Sequence, residues 1–140
     1  MSVRDQNLQT VGFLTATFKI KQTAGEDDLK DVDIGKAVTI SGNYEVGPGS
    51  DGDVLIGKLI HLSLTDADVG KRVATIQIGG ICTLAAAAPV PSVGDRVVID
   101  GSGAVKQAPA LASDDPAGGN VARGTVVDVN GTSEVTLILG

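Results

Sequence analysis

The stretch from residue 121 to residue 139, VARGTVVDVNGTSEVTLIL, contains two β-strands and the turn that joins them. Val121 to Val129 and Glu134 to Leu139 are rich in Val, Thr, Ile and Leu, and Asn130-Gly131 stands between them. An Asn-Gly pair between two apolar runs is the strongest short-range signal for a β-hairpin, because both residues tolerate the positive φ of a tight turn. The sequence therefore predicts an antiparallel hairpin here.

Alternating apolar and polar residues continue upstream of this hairpin and predict further strands. Asp53 to Thr65 and Arg72 to Leu84 are long enough to bend, and Gly79-Gly80 offers a bend point in the second of them. Gly101-Ser-Gly103 predicts another hairpin turn, and no stretch has the spacing of an amphipathic helix. We therefore expect an all-β fold of eight or nine strands. The remaining predicted strands are Val11 to Gln22, residues 37–46 with a turn near Gly42-Asn43, Arg96 to Asp100 and Ala104 to Ala108.

The composition fits the same fold class. The 140 residues suffice for one domain, and 18 Val, 10 Ile and 11 Thr make up more than a quarter of them. Branching at Cβ restricts χ1 and suits the pleated surface of a sheet. The 19 glycines are available for tight turns. We predict a single all-β domain over residues 11–140, preceded by an extended N-terminal arm at residues 1–10.

Three local predictions concern a loop, a recurring turn and a buried face. Residues 23–36, TAGEDDLKDVDIGK, predict a long acidic loop with one helical turn near Asp27 to Val32. A hexad with a central glycine precedes three of the predicted strands, and its glycine provides the positive φ of a tight turn. These hexads are DIGKAV (33–38), DVGKRV (68–73) and SVGDRV (92–97). The face of the first strand that we expect to be buried carries Leu14, Ala16, Phe18 and Ile20.

Several classes of partner are disfavoured by what the chain lacks. Its only aromatic residues are Phe13, Phe18 and Tyr44, so it has little with which to stack on bases or sugar rings. Its net charge is −6 and its 11 Lys and Arg residues are scattered, so it repels nucleic acid. No apolar stretch reaches the roughly 18 residues of a membrane span, and the polar start MSVRDQN does not look like a secretory signal. We expect a soluble protein, made in a cytoplasm, that binds neither nucleic acid nor membranes.

The residue types that most often carry catalysis are isolated. Cys82 is the only cysteine and His61 the only histidine, which excludes an intrachain disulfide and leaves no spacing typical of a metal site. There is no Gly-x-Ser-x-Gly elbow and no phosphate-binding Gly-Lys-Ser/Thr sequence. Two clusters of acidic residues are better explained as solvated loops than as calcium sites. They are Glu26, Asp27, Asp28, Asp31 and Asp33 in one loop, and Asp51 and Asp53 in another. We therefore expect no enzymatic activity, no cofactor and no metal.

The second half of the chain has a recognisable layout of strands and turns. A strand of the pattern V-x-I-x-G-x-x-x-L leads into an Ala-rich stretch, V-G-D-x-V precedes a hairpin ending near G-x-V, and the chain closes on G-x-V…V-x-V…L. This layout occupies Ile76 to Leu84, Ala85 to Ala88, Val93 to Val97, Gly103 to Val105, Gly124 to Val129 and Val135 to Leu139. Over the span that these ranges cover, about 65 residues, the chain resembles the small capsid decoration (cement) proteins of tailed bacteriophages.

This resemblance implies a structural role in a virion. Decoration proteins form a small β-barrel or β-sandwich, also called a β-tulip, with an arm or loops that reach neighbouring molecules. They bind the major capsid protein on the outer surface of the capsid, often as homotrimers and sometimes as dimers. The resemblance therefore implies a protein that is made in the bacterial host cytoplasm and stabilises the capsid from outside. Its partners would be the major capsid protein and copies of itself, with the homotrimer favoured.

Two other functions stay open at this stage. A tail-tube or fibre-associated β module would use the long strands at 53–65 and 72–84 to pair with neighbouring copies in a ring. A small β hydrolase would need His61 within hydrogen-bond reach of both a carboxylate and a hydroxyl.

The N-terminal arm is the segment that we expect to contact a partner. Its sequence SVRDQNLQT, residues 2–10, is polar except for Val3 and Leu8. Ordering a backbone costs roughly 1–2 kcal/mol per residue, which such a segment cannot offset alone. We expect it to add hydrogen bonds to a strand edge of a neighbouring chain, with Arg4 beside an acidic group and Leu8 in a shallow pocket. The predicted partner-binding residues are Val3, Arg4, Asn7, Leu8 and Thr10.

Overall fold

Short β-strands build the part of the chain that this computed structural model describes, residues 13–63, 72–110 and 121–139. The only helical element in these ranges is one 3-10 turn, Asp31–Asp33. The prediction of an all-β fold is confirmed. The strands are β1 (Leu14–Ile20), β2 (Gln22–Thr23), β3 (Glu26–Asp27), β4 (Ala37–Gly42), β5 (Glu45–Gly47), β6 (Gly57–Leu62), β7 (Val73–Ala85), β8 (Val97–Ile99), β9 (Val105–Gln107), β10 (Thr125–Asn130) and β11 (Glu134–Leu139).

Five of these strands close into a small barrel. Their order is β1-β5-β4-β6-β7, and β7 pairs back onto β1, where Thr17 lies opposite Thr75. All pairs are antiparallel except β1 and β5, which run parallel with Lys19 opposite Glu45. Closure pairs each of these strands on both sides and so removes most of the free edge that an open sheet would expose. The predicted small β-barrel is confirmed.

Strand β7 belongs to the barrel and also to a second sheet. Its first half pairs with β1 and β6, and its second half, from Gly80 to Ala85, pairs with β11. The change of partner falls at Gly79-Gly80, the predicted bend point, and Gly80 has a φ of 87°. The β10–β11 hairpin extends this second sheet. Its loop, residues 131–133, begins with Gly131 at a φ of 57°, which agrees with the turn expected there.

The apolar side chains form two clusters along β7. The residues of both clusters have almost no exposed surface, so each cluster excludes water and stabilises one half of β7. The barrel cluster consists of Ile20, Leu29, Val38, Val46, Leu59, Leu62, Ala74 and Ile76. The C-terminal cluster consists of Ala37, Leu55, Cys82, Leu84, Val97, Ile99, Val105, Val126, Val135, Leu137 and Leu139.

The buried face of β1 is as predicted except at its first residue. Ile20 is buried, and Ala16 and Phe18 are half-buried between exposed neighbours, but Leu14 is 57% exposed. Leu14 lies opposite Gly79, which has no side chain to cover it. The expectation that Leu14 belongs to the core is therefore wrong.

Two further expectations need correction. The strand predicted from Asp53 is shorter, because β6 begins only at Gly57, and a bulge follows Leu59. This bulge places Leu59 and Leu62, which strict alternation puts on opposite faces, in the same core cluster. The helical turn lies at Asp31–Asp33 rather than 27–32, because Glu26 and Asp27 pair with β2 instead.

The hairpin and turn predictions elsewhere hold. β8 and β9 pair through the turn at 101–103, and β4 and β5 pair through the turn at 43–44. The hexad glycines Gly35 and Gly94 have φ values of 96° and 89°, as a turn before a strand requires. The glycine of the remaining hexad lies outside the described residues.

Candidate interaction surface

The arm at residues 1–10 lies outside the described residues. Its predicted partner-binding side chains Val3, Arg4, Asn7, Leu8 and Thr10 therefore have no place in the geometry below. Their pairing with a neighbouring chain stays a prediction.

Cys82 on β7 and His61 on the neighbouring strand β6 lie far apart and do not form a reactive pair. Cys82 lies opposite Leu137, whereas His61 lies opposite Thr75, seven residues away along β7 or roughly 23 Å of extended strand. Burial raises the pKa of the Cys82 thiol to about 11, although the positive charges of Lys58 and Arg123 counteract part of that rise. Cys82 is thus a protonated, unreactive core residue at neutral pH.

The carboxylates of the acidic loop are directed at separate neighbours. Each has its own hydrogen-bond or ion-pair partner, so they do not converge on a common point. Glu26 contacts Lys30 at 3.7 Å, Asp27 accepts from Gln22 at 3.0 Å, Asp28 accepts from Thr23 at 3.0 Å, Asp31 contacts Arg72 at 2.7 Å and Asp33 contacts Lys36 at 3.1 Å. Within the described ranges, no group of three or more His, Cys, Asp and Glu residues could hold a metal ion.

Three aspartates close the same type of four-residue turn. In each turn an aspartate Oδ2 accepts a hydrogen bond of 2.8 Å from the backbone N–H three residues earlier. The pairs are Lys30 with Asp33, Ser50 with Asp53 and Ser92 with Asp95. The second acidic loop is held further by an ion pair of 2.6 Å between Asp51 and Lys106. Three of the 17 acidic residues therefore serve to close turns.

Arg123 connects the two apolar clusters. Its guanidinium donates to the carbonyl oxygens of Leu55 at 3.1 Å and Ile78 at 2.6 Å, and also to that of Ile56. Partial burial lowers its pKa, because removal of water disfavours the charged form. Arg123 thus binds the loop before β6 to the middle of β7, and its role is structural.

A concavity of about 310 Å³ lies beside the β8–β9 hairpin. Its lining is mostly small and apolar, and two of its three polar side chains, Gln107 and Asp95, bond to each other at 3.1 Å. The carboxylate of the lining, Asp95, is therefore already hydrogen-bonded within the fold. The lining residues are Asp95, Arg96, Gln107, Ala108, Pro109, Ala110 and Ala122.

Tyr44, at the tip of the β4–β5 hairpin, is the most exposed aromatic residue. It is 80% exposed, and its backbone has a φ of 52°, a conformation that side-chain-bearing residues seldom adopt. The tip is held in place because Lys19 donates its backbone N–H to the Tyr44 carbonyl at 2.7 Å. Ser41 Oγ also donates to Glu45 Oε1 at 2.9 Å on the other side of the turn.

A row of outward-facing residues continues from this tip across the barrel. Lys19 lies opposite both Glu45 and Val73, whose chain neighbours Ile20, Val46 and Ala74 all point into the core. We call the set Tyr44, Glu45, Lys19, Lys21 and Val73 the Tyr44 surface. None of these five residues is among those predicted from the sequence to bind a partner. The available signal was an aromatic residue immediately after Gly42-Asn43, where turn-forming residues are usual.

Comparisons with known proteins identify no relative. The chain matches no protein-family model, no curated protein and no solved structure. In the part of the chain that the structure describes, no helix has the length and apolar character to span a membrane.

Proposed function

We propose that this chain is a structural protein of a tailed-bacteriophage virion, namely a decoration protein that binds the outer surface of the capsid. The observation that carries the proposal is the packing of the segment that resembles decoration proteins. Within the C-terminal cluster, the ranges that carry the resemblance contribute every buried residue except Ala37, Leu55 and Ile99. Apart from its start at Ile76, which packs in the barrel cluster, the resemblance thus falls on strands and turns that pack together.

The proposed mechanism needs a preformed surface and no chemistry. A decoration protein stabilises a capsid by adding buried interface across the boundaries between capsomers, and a standard interface buries roughly 1,600 Å². A closed barrel with locally paired carboxylates suits this task, because it can bind without a large rearrangement. We propose the major capsid protein as partner, self-assembly as a homotrimer or a dimer, and no enzymatic activity or cofactor.

Thermal release of DNA from particles tests this function. Particles with and without the protein are produced in the bacterial host and heated with a dye that reports released DNA. Electron microscopy of the same particles locates the protein. We expect density on the outer surface of the head and a higher release temperature for decorated particles. Equal release temperatures would refute the stabilising role, and density on the tail would refute the location.

The tail-tube alternative receives less support from the pairing of β6 and β7. Ring formation would need a long hairpin with strands free to pair with neighbouring copies. In the described ranges β6 has only six residues, and β7 already pairs with β1, β6 and β11. The tail-tube function is therefore the weaker candidate, and density on the tail in the electron micrographs would support it.

A further inference from the structure

Closure of the barrel leaves part of β1 without a neighbouring strand on one side. β1 pairs with β7 from Leu14 to Lys19, but with β5 only over its last two residues. The stretch 14–18 therefore has β7 on one side and, in the part of the chain that the structure describes, no strand on the other. The side chains of Leu14, Thr15 and Thr17 are exposed there. We call residues 14–18 the free edge of β1.

The backbone groups that point outward along the free edge belong to Thr15 and Thr17. Lys19 donates its N–H to the Tyr44 carbonyl on the β5 side at 2.7 Å, and every second residue of a strand directs its N–H and C=O groups to the same side. Thr15 and Thr17 therefore present their N–H and carbonyl groups where β5 does not reach. Such a row of backbone groups is a template for another extended chain.

The fold covers comparable sheet margins elsewhere with its own loops. Along β10, Gly94 donates its N–H to the Val126 carbonyl at 2.7 Å, and Val126 donates to Asp95 at 2.9 Å. Along β9, Ala87 donates to the Val105 carbonyl at 2.8 Å. Sheets also protect exposed edges with charged side chains or prolines, but the free edge of β1, with the sequence LTATF, has neither. Its composition therefore favours pairing with another strand.

The free edge is complementary to itself in an antiparallel register. A two-fold axis at Ala16, the centre of the stretch, places Thr15 opposite Thr17 of the partner copy and Leu14 opposite its Phe18. Thr–Thr pairs and aliphatic–aromatic pairs are both favourable across strands, and this register brings no like charges together. The net charge of −6 opposes association at a distance, but no acidic residue lies in the stretch, and the field is screened within about 8 Å at physiological salt.

We propose that two copies of this chain associate by antiparallel pairing of their β1 free edges, with Thr15 of each copy hydrogen-bonded through its backbone to Thr17 of the other. The occupant of the edge is thus a second copy of β1. This inference rests on the self-association within the proposed function, for which it specifies a dimer and the surface that forms it. The contact needs no capsid, so it is tested on the purified protein.

Two full-length charge variants test the contact and its register. T15K/T17K places lysine opposite lysine at both ends of the pair, whereas T15K/T17E places lysine opposite glutamate at the same exposed positions. In analytical ultracentrifugation we expect a monomer–dimer equilibrium for wild type, a dissociation constant raised at least about tenfold for T15K/T17K, and one within about threefold of wild type for T15K/T17E. High salt should reduce the difference between the two variants. Circular dichroism checks that both are folded.

A cross-link locates the two-fold axis. The two Ala16 residues would face each other as a non-hydrogen-bonded pair with Cα atoms about 4.5 Å apart, which is within the range of a disulfide. A16C should therefore form a covalent dimer on mild oxidation. T125C is the matched control, because it places a cysteine at an exposed position of β10, whose margin the fold already covers. T125C and wild type, whose Cys82 is buried, should form no covalent dimer.

Each result has a defined consequence. A wild type that stays monomeric at every concentration would overturn the inference, and so would an oligomer that T15K/T17K leaves intact. Either result would leave the capsid role standing, because density on the head and the DNA-release temperature test that role separately. A dimer that T15K/T17K dissociates and A16C cross-links would support the contact, even if the protein were absent from the head and the proposed function failed.

Discussion

Replacement of Gly57 by alanine tests the closest approach in the barrel. A Cβ atom at Gly57 would lie 2.0 Å from the carbonyl oxygen of Gln77 and 2.8 Å from Cγ2 of Ile76. A carbon–oxygen contact without strain needs about 3.3 Å, so the overlap with the carbonyl exceeds about 1 Å. This oxygen belongs to the backbone of β7 and cannot rotate away. The substitution must therefore push β6 and β7 apart where Lys58 lies opposite Gln77.

The expected loss of stability is large for a single methyl group. Overpacking typically costs about 1–3 kcal/mol, and each backbone hydrogen bond lost from the β6–β7 pair adds about 1 kcal/mol. We expect G57A to lower the free energy of unfolding by about 3–4 kcal/mol. With a urea dependence of about 2 kcal/mol per molar, the unfolding midpoint falls by about 1.5–2 M. Far-ultraviolet circular dichroism is the suitable probe, since the chain has no Trp and one Tyr.

Gly42 provides the matched control. A Cβ atom there would lie 3.2 Å from Oε1 of Glu45, which is the end of a flexible side chain and can move away. Gly42 and Gly57 both lack a positive φ, so the two substitutions differ in available space and not in backbone strain. We expect G42A to change stability by less than about 0.5 kcal/mol. A midpoint for G57A equal to that of G42A would refute the close approach of β6 and β7.

Three further predictions concern single side chains. Arg123→Met removes the donors to three backbone carbonyls and should lower the free energy of unfolding by about 2–4 kcal/mol in the same titration, whereas an unchanged midpoint would show that Arg123 does not connect the clusters. Cys82, with its pKa raised to about 11 by burial, should react with a maleimide at pH 8 only after urea unfolds the protein; rapid labelling of the folded protein would contradict its burial. For Asp100, burial raises the pKa, but the hydrogen bonds from Ser102 and Ala104 together lower it by more, so the pKa is depressed overall. The stabilising contribution of Asp100 is therefore present above the unfolded pKa near 3.9 and is lost as the pH falls through the folded pKa. D100N should lose less stability than wild type between pH 7 and pH 3. The difference should be under about 1 kcal/mol, because Asp100 is only half-buried and water screens its charge.

Features that depend on neighbouring residues could be predicted from the sequence. The turns at Gly131 and at Gly101 to Gly103 are specified by glycines that lie within them, so their hairpins follow from local chemistry. The alternation of Ala16, Phe18 and Ile20 likewise identifies the buried face of β1, because a strand repeats every two residues.

Features that depend on distant pairing could not be predicted in this way. The parallel pairing of Lys19 with Glu45 joins β1 to β5, which are not consecutive in the chain. No local sequence pattern encodes such a pairing. The bulge after Leu59 is a shift in the register of β6 against β7, and it depends on that pairing rather than on the local sequence. The Tyr44 surface is of the same kind, since it exists only because barrel closure brings Lys19, Glu45 and Val73 into one row.

Several residues that carry the resemblance to decoration proteins serve the interior of the fold or its turns. Gly94 has a φ of 89°, Asp95 closes a turn and accepts from Gln107, and Val97 is fully buried. Side chains that are occupied in this way build the scaffold and have little contact area to offer a partner. A layout made of such residues therefore specifies a fold, and two chains that share it can bind different shells. Under the proposed function, the choice of shell would depend on exposed residues, which lie both inside this layout, as Val93 does, and outside it, as Tyr44 does.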